Sequence, residues 1–314
     1  MKHFNLIART NGVGLDQDVN LVKGALEGLG HQVSVSHCRA RKSWQNWLPT
    51  KREFDANIFM ERVFPAWIPT AKCNYLIPNQ ERFPQRHLGR LAKIDKVLCK
   101  TRHAEAIFAA HASTGFIGFT SPDRSQAEIE PDYSKFLHLA GKSTLKGTET
   151  ILEVWSKHPE WPILTLIQHA ENAPSDLPAN IRLISDYLSD DELQTMLNQH
   201  GVHLCPSRSE GWGHYVVEAM SCRAVVLTTD APPMNELVDD TRGILVPFSD
   251  QEPRHLGTNF FVDPPHLEQA IEKLIAMPSE EKEQLAAAGR SWFEDNNRGF
   301  AERLNLQLKL DASP

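Results

Sequence analysis

Several features that mark other protein classes are missing from this 314-residue chain. No apolar run approaches the roughly 18 residues that a membrane-spanning helix requires. Hydrophobic and charged contents of 41% and 23% are those of an ordinary globular protein. The apolar stretch near the N-terminus is too short for a secretory signal and instead predicts a buried first strand. We therefore expect a cytoplasmic protein, with peripheral attachment to the inner face of the membrane left open.

The chain is also poor in cysteine and lacks the common catalytic motifs. Its five cysteines are widely separated and include no C-x-x-C, which argues against a disulfide framework or a zinc site and predicts reduced, mostly buried thiols. H-E-x-x-H, G-x-S-x-G and a Walker loop are absent, which disfavours metallopeptidases, hydrolases of that type and NTPases. Asp16-Gln17-Asp18 is a D-x-D, but it lies at a predicted helix start, where aspartates are favoured as caps. No metal and no cofactor is predicted.

The charge is unevenly distributed. Residues 1–130 hold 18 Lys and Arg against 12 Asp and Glu, net +6, whereas residues 131–314 hold 15 against 28, net −13. The first half is therefore predicted to face an anionic partner or surface. The alternative is that its surface composition has drifted without a functional cause.

One basic segment of the first half, RARKSWQNWLPTKR (39–52), also contains Trp44 and Trp47. Basic residues interleaved with aromatic ones suit lipid headgroups or a nucleic acid. A solvated loop with both tryptophans tucked into the core is the third interpretation. The basic residues of the segment are Arg39, Arg41, Lys42, Lys51 and Arg52.

Strands and helices alternate along both halves. The chain opens with an apolar strand, the glycine turn NGVG (11–14), a helix and a second strand, which is a βαβ unit of Rossmann type. The polar segment 121–134 holds two prolines and is the best candidate linker. The first half is predicted to hold strands at 3–9, 31–38, 56–63, 73–79 and 96–100 and helices at 18–30, 86–93 and 102–111. The second half is predicted to hold strands at 136–141, 162–168, 180–185, 202–207, 224–230 and 243–247 and helices at 148–159, 189–199 and 214–222.

The predicted fold class is α/β, with two Rossmann-like doubly wound domains facing across a cleft. The first domain is expected over 1–128 and the second over 129–290, with a C-terminal helix over 291–314 that packs back towards the first domain. Ser189 and Glu192 have the spacing of a capping box for the helix at 189–199. The tail predicts successive helices over 266–277, 279–297 and 298–310.

The densest set of candidate site residues is PSRSEGWGHYVVEAM (206–220). Gly211 and Gly213 permit backbone angles and ligand approach that a side chain would block, and the helix that follows begins with free N–H groups and a positive dipole end. This predicts an anion site at the carboxyl end of a strand. Glu210 and Glu218 flank this site. One carboxylate would lie beside the phosphates and the other beside a group rich in hydroxyls, which suits a sugar nucleotide. A plain strand-to-helix turn is the alternative.

The same stretch resembles the E-x7-E signature of the family-4 type of retaining glycosyltransferases, whose members have the two-Rossmann GT-B fold. Four further segments of the second half resemble the family in register: FLHLAGKSTLKGTETILEVW, NIRLISDYLSDDEL, AVVLTTDAPPMNELVDD and RGILVP. In the first half only the NGVGLDQDV turn and the general layout match.

The resemblance implies roles for individual residues. Lys142 and Lys146 match the basic pair that neutralises the donor diphosphate, Glu218 the residue that binds the ribose, and Glu210 the one that faces the transferred sugar. Lysine replaces the family's usual arginine at Lys142, and the spacing of the pair is four where five is commoner. Lysine provides a point charge, whereas the planar guanidinium group of arginine can bind a phosphate through two N–H groups at once. Other implied donor contacts are Gly211, Trp212, Gly213, His214, Tyr215, Val216, Asp186, Gly12 and Gly14.

A histidine that the family often has near the donor sugar is missing from the matching stretch, YLIPNQERF. Asn79 stands there and is a candidate sugar or acceptor contact, with a plain turn after Pro78 as the alternative.

The resemblance implies retaining, metal-independent transfer of a sugar from a nucleoside diphosphate donor to an acceptor hydroxyl, in synthesis of cell-surface polysaccharide or glycolipid. A glycosyltransferase acting on modified bases in DNA and a non-catalytic sugar-nucleotide or glycan-binding protein are the alternatives. A dinucleotide oxidoreductase is disfavoured because NGVG lacks the third glycine of G-x-G-x-x-G. The expected partners are a nucleotide sugar and an anionic acceptor or surface facing the basic first domain, with a membrane-associated glycan or lipid favoured over nucleic acid.

Overall fold

The structure is a computed structural model that describes residues 1–9, 14–47 and 51–308. Over these ranges the chain forms two compact units. The first contains the described residues up to Thr120, the short segment Arg254–Gly257 and the residues from Asn296 onward. The second contains Ser121–Pro253 and Thr258–Asp295.

The first unit is built on a parallel sheet, six strands of which lie in the described part of the chain. The strands are β1 (His3–Ala8), β2 (Gln32–His37), β3 (Phe54–Met60), β4 (Ala71–Ile77), β5 (Lys96–Cys99) and β6 (Thr114–Phe116). Their spatial order is β2-β1-β3-β4-β5-β6, so the order of winding reverses between β1 and β3. Helices α1 (Gly14–Gly28) and α2 (Arg102–Ala109) belong to this unit, together with 3-10 segments at Ser43–Trp47, Pro65–Thr70, Gln80–Arg82 and Gln85–Lys93.

The second unit repeats this plan, again with a six-stranded parallel sheet in the residues that the structure describes. Its strands are β7 (Asp132–Gly141), β8 (Leu164–Gln168), β9 (Ile181–Ile184), β10 (His200–Cys205), β11 (Val225–Thr229) and β12 (Ile244–Val246). The order β12-β11-β10-β7-β8-β9 is that of a dinucleotide-binding Rossmann sheet and reverses between β7 and β10. A separate two-stranded sheet is formed by β13 (Phe248–Arg254) and β14 (Gly257–Val262).

Helices lie at most crossovers of the second sheet, and a 3-10 segment (Ala170–Asn172) lies between β8 and β9. The helices are α3 (Thr148–Ser156), α4 (Asp190–Gln199), α5 (His214–Ser221), α6 (Met234–Leu237), α7 (Pro264–Ala276) and α8 (Ser279–Gln307), the last of which ends in the first unit. The predicted capping box of α4 is confirmed: Ser189 Oγ accepts from the amide of Glu192 at 3.2 Å, and Glu192 Oε2 accepts from the amide of Ser189 at 2.8 Å. None of the described helices is long and apolar enough to span a membrane.

The central strands are mostly apolar and largely buried, because both faces of each sheet are covered. β8, β10 and β11 are buried at every residue, as the strands of doubly wound sheets usually are. Among the cysteines, Cys38, Cys99, Cys205 and Cys222 are buried and all five are free thiols, as the sequence predicted.

The fold confirms the prediction of an α/β chain with two Rossmann-like domains, and two local predictions are wrong. The helical stretch predicted at 86–93 is present, as a 3-10 segment over Gln85–Lys93. The tail from Ser279 to Gln307 is one continuous helix, because no proline interrupts it. Strand β7 starts at Asp132, inside the predicted linker.

Candidate functional site

Two loops leave the second sheet at the point where its strand order reverses. β7 and β10 are neighbours, and β7 ends at Gly141 while β10 ends at Cys205. The loop after β7 carries Lys142 and Lys146, and the loop after β10 carries Glu210. Ligands of open α/β sheets bind outside the carboxyl ends of the strands at this reversal, so the predicted residues lie where a ligand is expected.

The two loops are held together by backbone contacts. The amide of Arg208 donates to the carbonyl of Leu145 at 2.8 Å. Gly147 has φ +70°, and a Cβ added there would lie 2.3 Å from the carbonyl oxygen of Pro206. Only glycine fits this position, and its close approach places Lys146 beside the second loop.

Lys146 and Glu210 form an ion pair at the centre of the site. Lys146 Nζ lies 2.6 Å from Glu210 Oε1, and the two side chains are 16% and 14% exposed. Ser207 Oγ donates to the same carboxylate oxygen at 2.5 Å and lies 2.6 Å from the hydroxyl of Tyr215. Because the single proton of Ser207 goes to Glu210, the Tyr215 hydroxyl must donate to Ser207. Glu210 is therefore held from two sides.

Tyr215 contributes its ring as well as its hydroxyl. Lys146 Nζ lies 3.4 Å from the centroid of the ring, within the range of a cation–π contact. Burial raises the pKa of Tyr215 well above its usual value, so the hydroxyl stays protonated and remains a donor. The ammonium group of Lys146 is thus fixed between a carboxylate and an aromatic face.

The glycine turn before α5 has the geometry that the sequence predicted. Gly213 has φ +108°, and a Cβ there would lie 2.9 Å from Leu237 Cδ1. The side chains on either side meet at one buried hydroxyl: Trp212 Nε1 donates to Ser121 Oγ at 3.2 Å, and His214 Nδ1 lies 2.9 Å from the same oxygen. These contacts fix the direction in which the amino end of α5 points.

The remaining predicted donor contacts differ in their surroundings. The amide of Val216 already donates to the carbonyl of Gly213 at 3.0 Å. Glu218 is half-buried on α5, whereas Lys142 and Asp186 are exposed. Within the described ranges, no hydrogen bond or ion pair joins Lys142 or Asp186 to the pair at the centre of the site.

In the first unit, Gly12 lies outside the described residues, and Gly14 is the first residue of α1. Asn79 belongs to a buried polar network: its Oδ1 accepts from Lys100 Nζ at 2.9 Å, and its Nδ2 donates to Glu61 Oε1 at 3.4 Å. Lys100, which is 2% exposed, also forms an ion pair of 2.5 Å with Asp18. Asn79 stands at the start of the 3-10 turn Gln80–Arg82, as the turn interpretation predicted, and its side chain also joins this network.

Sequence reasoning missed four members of these networks: Glu61, Lys100, Ser121 and Ser207. Lys100 directly follows the apolar strand β5, and a charged residue at that end of a buried strand is the signal that could have found it. Ser207 stands inside the signature segment, but its role depends on the direction of a turn that the sequence does not define.

Three histidines of the second sheet are structural. His138 lies between the carbonyl of Leu204 (2.7 Å) and the hydroxyl of Thr148 (2.9 Å), and burial lowers its pKa to about 4. Burial lowers the pKa of His203 to about 3. His200 and His203 have a metal-ligand spacing, yet each ring bonds a carbonyl oxygen of α4, at 2.7 and 3.1 Å. Over the described ranges, no group of three or more His, Cys, Asp or Glu side chains could hold a metal ion.

Part of the chain matches a known family in sequence. Residues 175–292 match the family model of the glycosyl transferases group 1. The matched interval includes Glu210, Glu218 and the glycine turn but not the two lysines. No curated protein matches the chain in sequence.

Several solved structures share the fold. Sucrose-phosphate synthase from Thermosynechococcus elongatus superposes with a TM-score of 0.73 at 14% identity over 98% of both chains. HepE from Anabaena, in complex with UDP and glucose, gives 0.70 at 13% identity over 98% of this chain and 99% of that one. A glycosyltransferase from Rickettsia africae gives 0.73 at 13% identity over 99% of both. At these identities the likeness shows the fold alone, which is the two-Rossmann GT-B fold. Together with the family match, it supports a glycosyltransferase.

Proposed function

We propose that the protein is a retaining glycosyltransferase that moves a sugar from a nucleoside diphosphate donor to an acceptor hydroxyl. The observation that carries the proposal is the Lys146–Glu210 ion pair beside the amino end of α5, at the strand-order reversal of the second sheet. A cation and a helix N-terminus bind a diphosphate, and a carboxylate next to them binds sugar hydroxyls.

The charge that must be stabilised is that of the leaving group. When the bond between the sugar C1 and the diphosphate oxygen breaks, the diphosphate gains negative charge. Lys146 has three N–H donors, and Glu210 accepts from one of them. The others are available to phosphate oxygens, and the positive end of the α5 dipole acts in the same direction. Lys142 is exposed, and its flexible stem lets it reach a bound diphosphate as a second cation.

Glu210 has the complementary task of holding the transferred sugar. Ser207 and Lys146 fix one of its oxygens, so the carboxylate has a defined direction before the sugar binds. Such preorganised groups lower the barrier because they need not reorient during the reaction. In the mechanism that we favour, the acceptor oxygen attacks C1 on the face from which the diphosphate departs. The acceptor proton then passes to the departing phosphate oxygen, and the anomeric configuration is retained.

The donor contacts of the proposal follow the sequence prediction. Glu218 binds the ribose, and the segment from Gly211 to Val216 holds sugar hydroxyls and phosphate. Asp186 contacts the nucleobase end, and Gly12 and Gly14 approach the diphosphate. HepE was solved with UDP and glucose, which makes a uridine diphosphate sugar the first donor to test. The reaction that we propose needs no metal, because Lys146 supplies the positive charge.

The acceptor is proposed to be anionic or to lie on an anionic surface, in cell-surface polysaccharide or glycolipid synthesis at the inner face of the membrane. Trp44 and Trp47 are 64% and 92% exposed, so the interpretation with both tryptophans tucked into the core is wrong. Exposed indoles beside basic residues suit a membrane interface. A nucleic acid with modified bases is the competing acceptor.

Liposome sedimentation and duplex-DNA gel shifts at two salt concentrations separate these acceptor surfaces. Trp47→Ala should release the protein from anionic vesicles, whereas Ile163→Ala, which removes an exposed apolar side chain from the second unit, should not. Salt-sensitive binding to DNA with no binding to vesicles would favour the nucleic acid.

The donor is tested by thermal shift with UDP, GDP, ADP and CMP, because a ligand that binds only the native protein raises its melting temperature. The matching nucleotide sugars are then assayed for released nucleoside diphosphate, with and without EDTA, and the product is analysed by NMR for its anomeric configuration. The proposal fails if no nucleotide stabilises the protein. Stabilisation without turnover of any sugar would instead favour a binding protein, and an inverted product would refute retention.

A further inference from the structure

The first unit contains a cavity of about 610 Å³ whose charged lining is almost entirely cationic. Its charged side chains are Arg9, Arg39, Arg62, Arg82 and Glu61. Four guanidinium groups and one carboxylate give the lining a large excess of positive charge. A cavity of this kind concentrates an anionic small molecule.

The cavity lies at the strand-order reversal of the first sheet. Arg9 directly follows β1, Arg39 comes two residues after β2, and Glu61 and Arg62 directly follow β3. The reversal in this sheet lies between β1 and β3. The rule that places a ligand beside Lys146 in the second unit therefore places another at this cavity.

Most of these arginines are not neutralised by the protein. Within the described ranges, Arg9, Arg39 and Arg62 form no ion pair. Arg62 Nε is also buried without a hydrogen-bond partner. Arg82 differs from the other three: it is 58% exposed and forms ion pairs with Glu61 at 3.9 Å and Glu81 at 3.7 Å. A buried guanidinium N–H without an acceptor is costly, and an anion bound in the cavity would remove that cost.

The positive charge also affects a nearby histidine, His87. The pKa of His87 is lowered by burial and then by the charges of Arg90, Arg62 and Arg86. Arg62, which lines the cavity, is one of the three arginines that act on His87.

Glu61 gives the cavity a second kind of specificity. It has φ +61°, a backbone conformation that is rare for residues other than glycine and that clusters at ligand sites. Asn79 Nδ2 donates to its carboxylate at 3.4 Å. A carboxylate accepts hydrogen bonds from hydroxyl groups, so the ligand should carry hydroxyls next to its anionic group.

We propose that this cavity binds a phosphate group attached to a hydroxylated sugar, with Arg39 and Arg62 on the phosphate and Glu61 on a sugar hydroxyl. Guanidinium groups match phosphate oxygens in pairs, which favours phosphate over a single carboxylate. The identification of this ligand as the acceptor rests on the proposed function, but its binding to the cavity does not. A free sugar phosphate and a phosphorylated inositol headgroup present the same chemistry.

The test is calorimetric titration of the full chain without donor. The probes are glucose 6-phosphate, fructose 6-phosphate and mannose 6-phosphate, with glucose as the neutral control, and vesicles with or without phosphatidylinositol 4-phosphate. We expect at least one phosphorylated probe to bind and glucose not to bind. Arg62→Gln should weaken that binding roughly tenfold to a hundredfold, as expected for loss of a charged hydrogen bond. If only the soluble sugar phosphates bind, the ligand is a free sugar phosphate. If only the vesicles with phosphatidylinositol 4-phosphate bind, the ligand is a lipid headgroup.

The matched control is Arg182→Gln, which removes the same charge from an exposed position in the second unit and should leave binding unchanged. If Arg62→Gln fails to fold, Arg39→Gln replaces it, since Arg39 is exposed. Equal loss of binding in the Arg182 control, or no binding of any phosphorylated probe, overturns the proposal. UDP is titrated in parallel. Binding of UDP without binding of any phosphorylated probe would support the proposed function and refute this site. Binding of a phosphorylated probe without binding of UDP would support the site and count against the proposed function.

Discussion

Lys146 and Glu210, which lie 64 residues apart in the chain, form an ion pair of 2.6 Å between two neighbouring loops. The pair brings together the two residues that are proposed to handle opposite ends of the reacting bond, the diphosphate and the sugar. A bound diphosphate would have to share Lys146 with Glu210, so binding of phosphate and orientation of the sugar-binding carboxylate are coupled through one ammonium group.

The first prediction concerns this pair. Lys146→Ala and Glu210→Ala should each reduce turnover by on the order of tenfold to a thousandfold, because each removes a preorganised group from the reacting centre. Turnover is measured as released nucleoside diphosphate. The control is Lys157→Ala, which removes a lysine from an exposed 3.1 Å ion pair with Glu153 and should leave turnover unchanged. Near-normal activity in both site variants would contradict the assignment.

Ser207 offers a test of positioning. It is fully buried and connects the Tyr215 hydroxyl to Glu210. Ser207→Ala should lower the free energy of unfolding by about 1–3 kcal/mol, because the Tyr215 hydroxyl loses its acceptor. It should also lower kcat more than it weakens donor binding, since Glu210 loses one of the groups that orient it.

The comparison variant for Ser207 is Tyr215→Phe. It retains the ring beneath Lys146 and the bond from Ser207 to Glu210, so it should keep more of the activity. Urea unfolding and steady-state kinetics on both variants provide the measurement. A greater loss of kcat in Tyr215→Phe than in Ser207→Ala would show that Ser207 does not act by orienting Glu210.

The sequence was most informative where periodicity and turn chemistry act locally. Buried parallel strands such as β8 are mostly apolar runs, and the glycine turn before α5 needs Gly213 for its positive φ, so both could be predicted. β13 could not, because FSDQEPR is exposed and lacks an apolar alternation. β6, with three residues, is too short to give a pattern.

The polar networks were harder to predict because their members are far apart in the chain. Asp18 was interpreted as a helix cap from its local context, whereas its partner Lys100 comes 82 residues later. Nothing in either local sequence specifies that contact. The resemblance to a family located Glu210 and Lys146, but their ion pair depends on the close approach of Gly147 to Pro206, which only the folded chain reveals.

The glycines give the third prediction. Gly147→Ala should destabilise the protein and weaken donor binding, because its φ is +70° and the new Cβ would clash with the carbonyl of Pro206. Gly24→Ala is the matched control: it lies within α1, with nothing within 4 Å of the new Cβ, and should stabilise the protein by about 0.5–1 kcal/mol. Melting temperature and UDP affinity are the measurements. Unchanged stability in Gly147→Ala would refute the requirement for glycine.

The buried ion pair between Asp18 and Lys100 gives the fourth prediction. Lys100→Met removes the cation that is paired with the buried carboxylate of Asp18 and should reduce the free energy of unfolding by about 3–5 kcal/mol. The double variant Asp18→Asn with Lys100→Met removes both charges and should recover part of that loss. Urea denaturation of the two single variants and the double variant completes the cycle. Strictly additive losses would mean that the two charges do not interact.

The last prediction is a loss of stability in mild acid. Burial lowers the pKa of His138 from 6.5 to about 4 and that of His203 to about 3. Between pH 6.5 and 4 the unfolded chain therefore binds protons that the folded chain does not, so the free energy of unfolding falls as the pH falls. One such histidine contributes at most about 1.4 kcal/mol per pH unit. The pKa values of Asp55, Asp123 and Asp132 lie below their usual 3.8, so these carboxylates act at lower pH.

Urea unfolding at pH 7.5, 6.5, 5.5 and 4.5 measures this slope. His138→Gln should be less stable than the natural protein at pH 7.5, because it disturbs the bonds to Leu204 and Thr148, yet it should lose less stability on acidification. His111→Gln, which replaces an exposed histidine, should keep the full slope. A slope in His138→Gln equal to that of the natural protein would mean that this ring takes up its proton equally in both states, and that its burial does not govern the acid response.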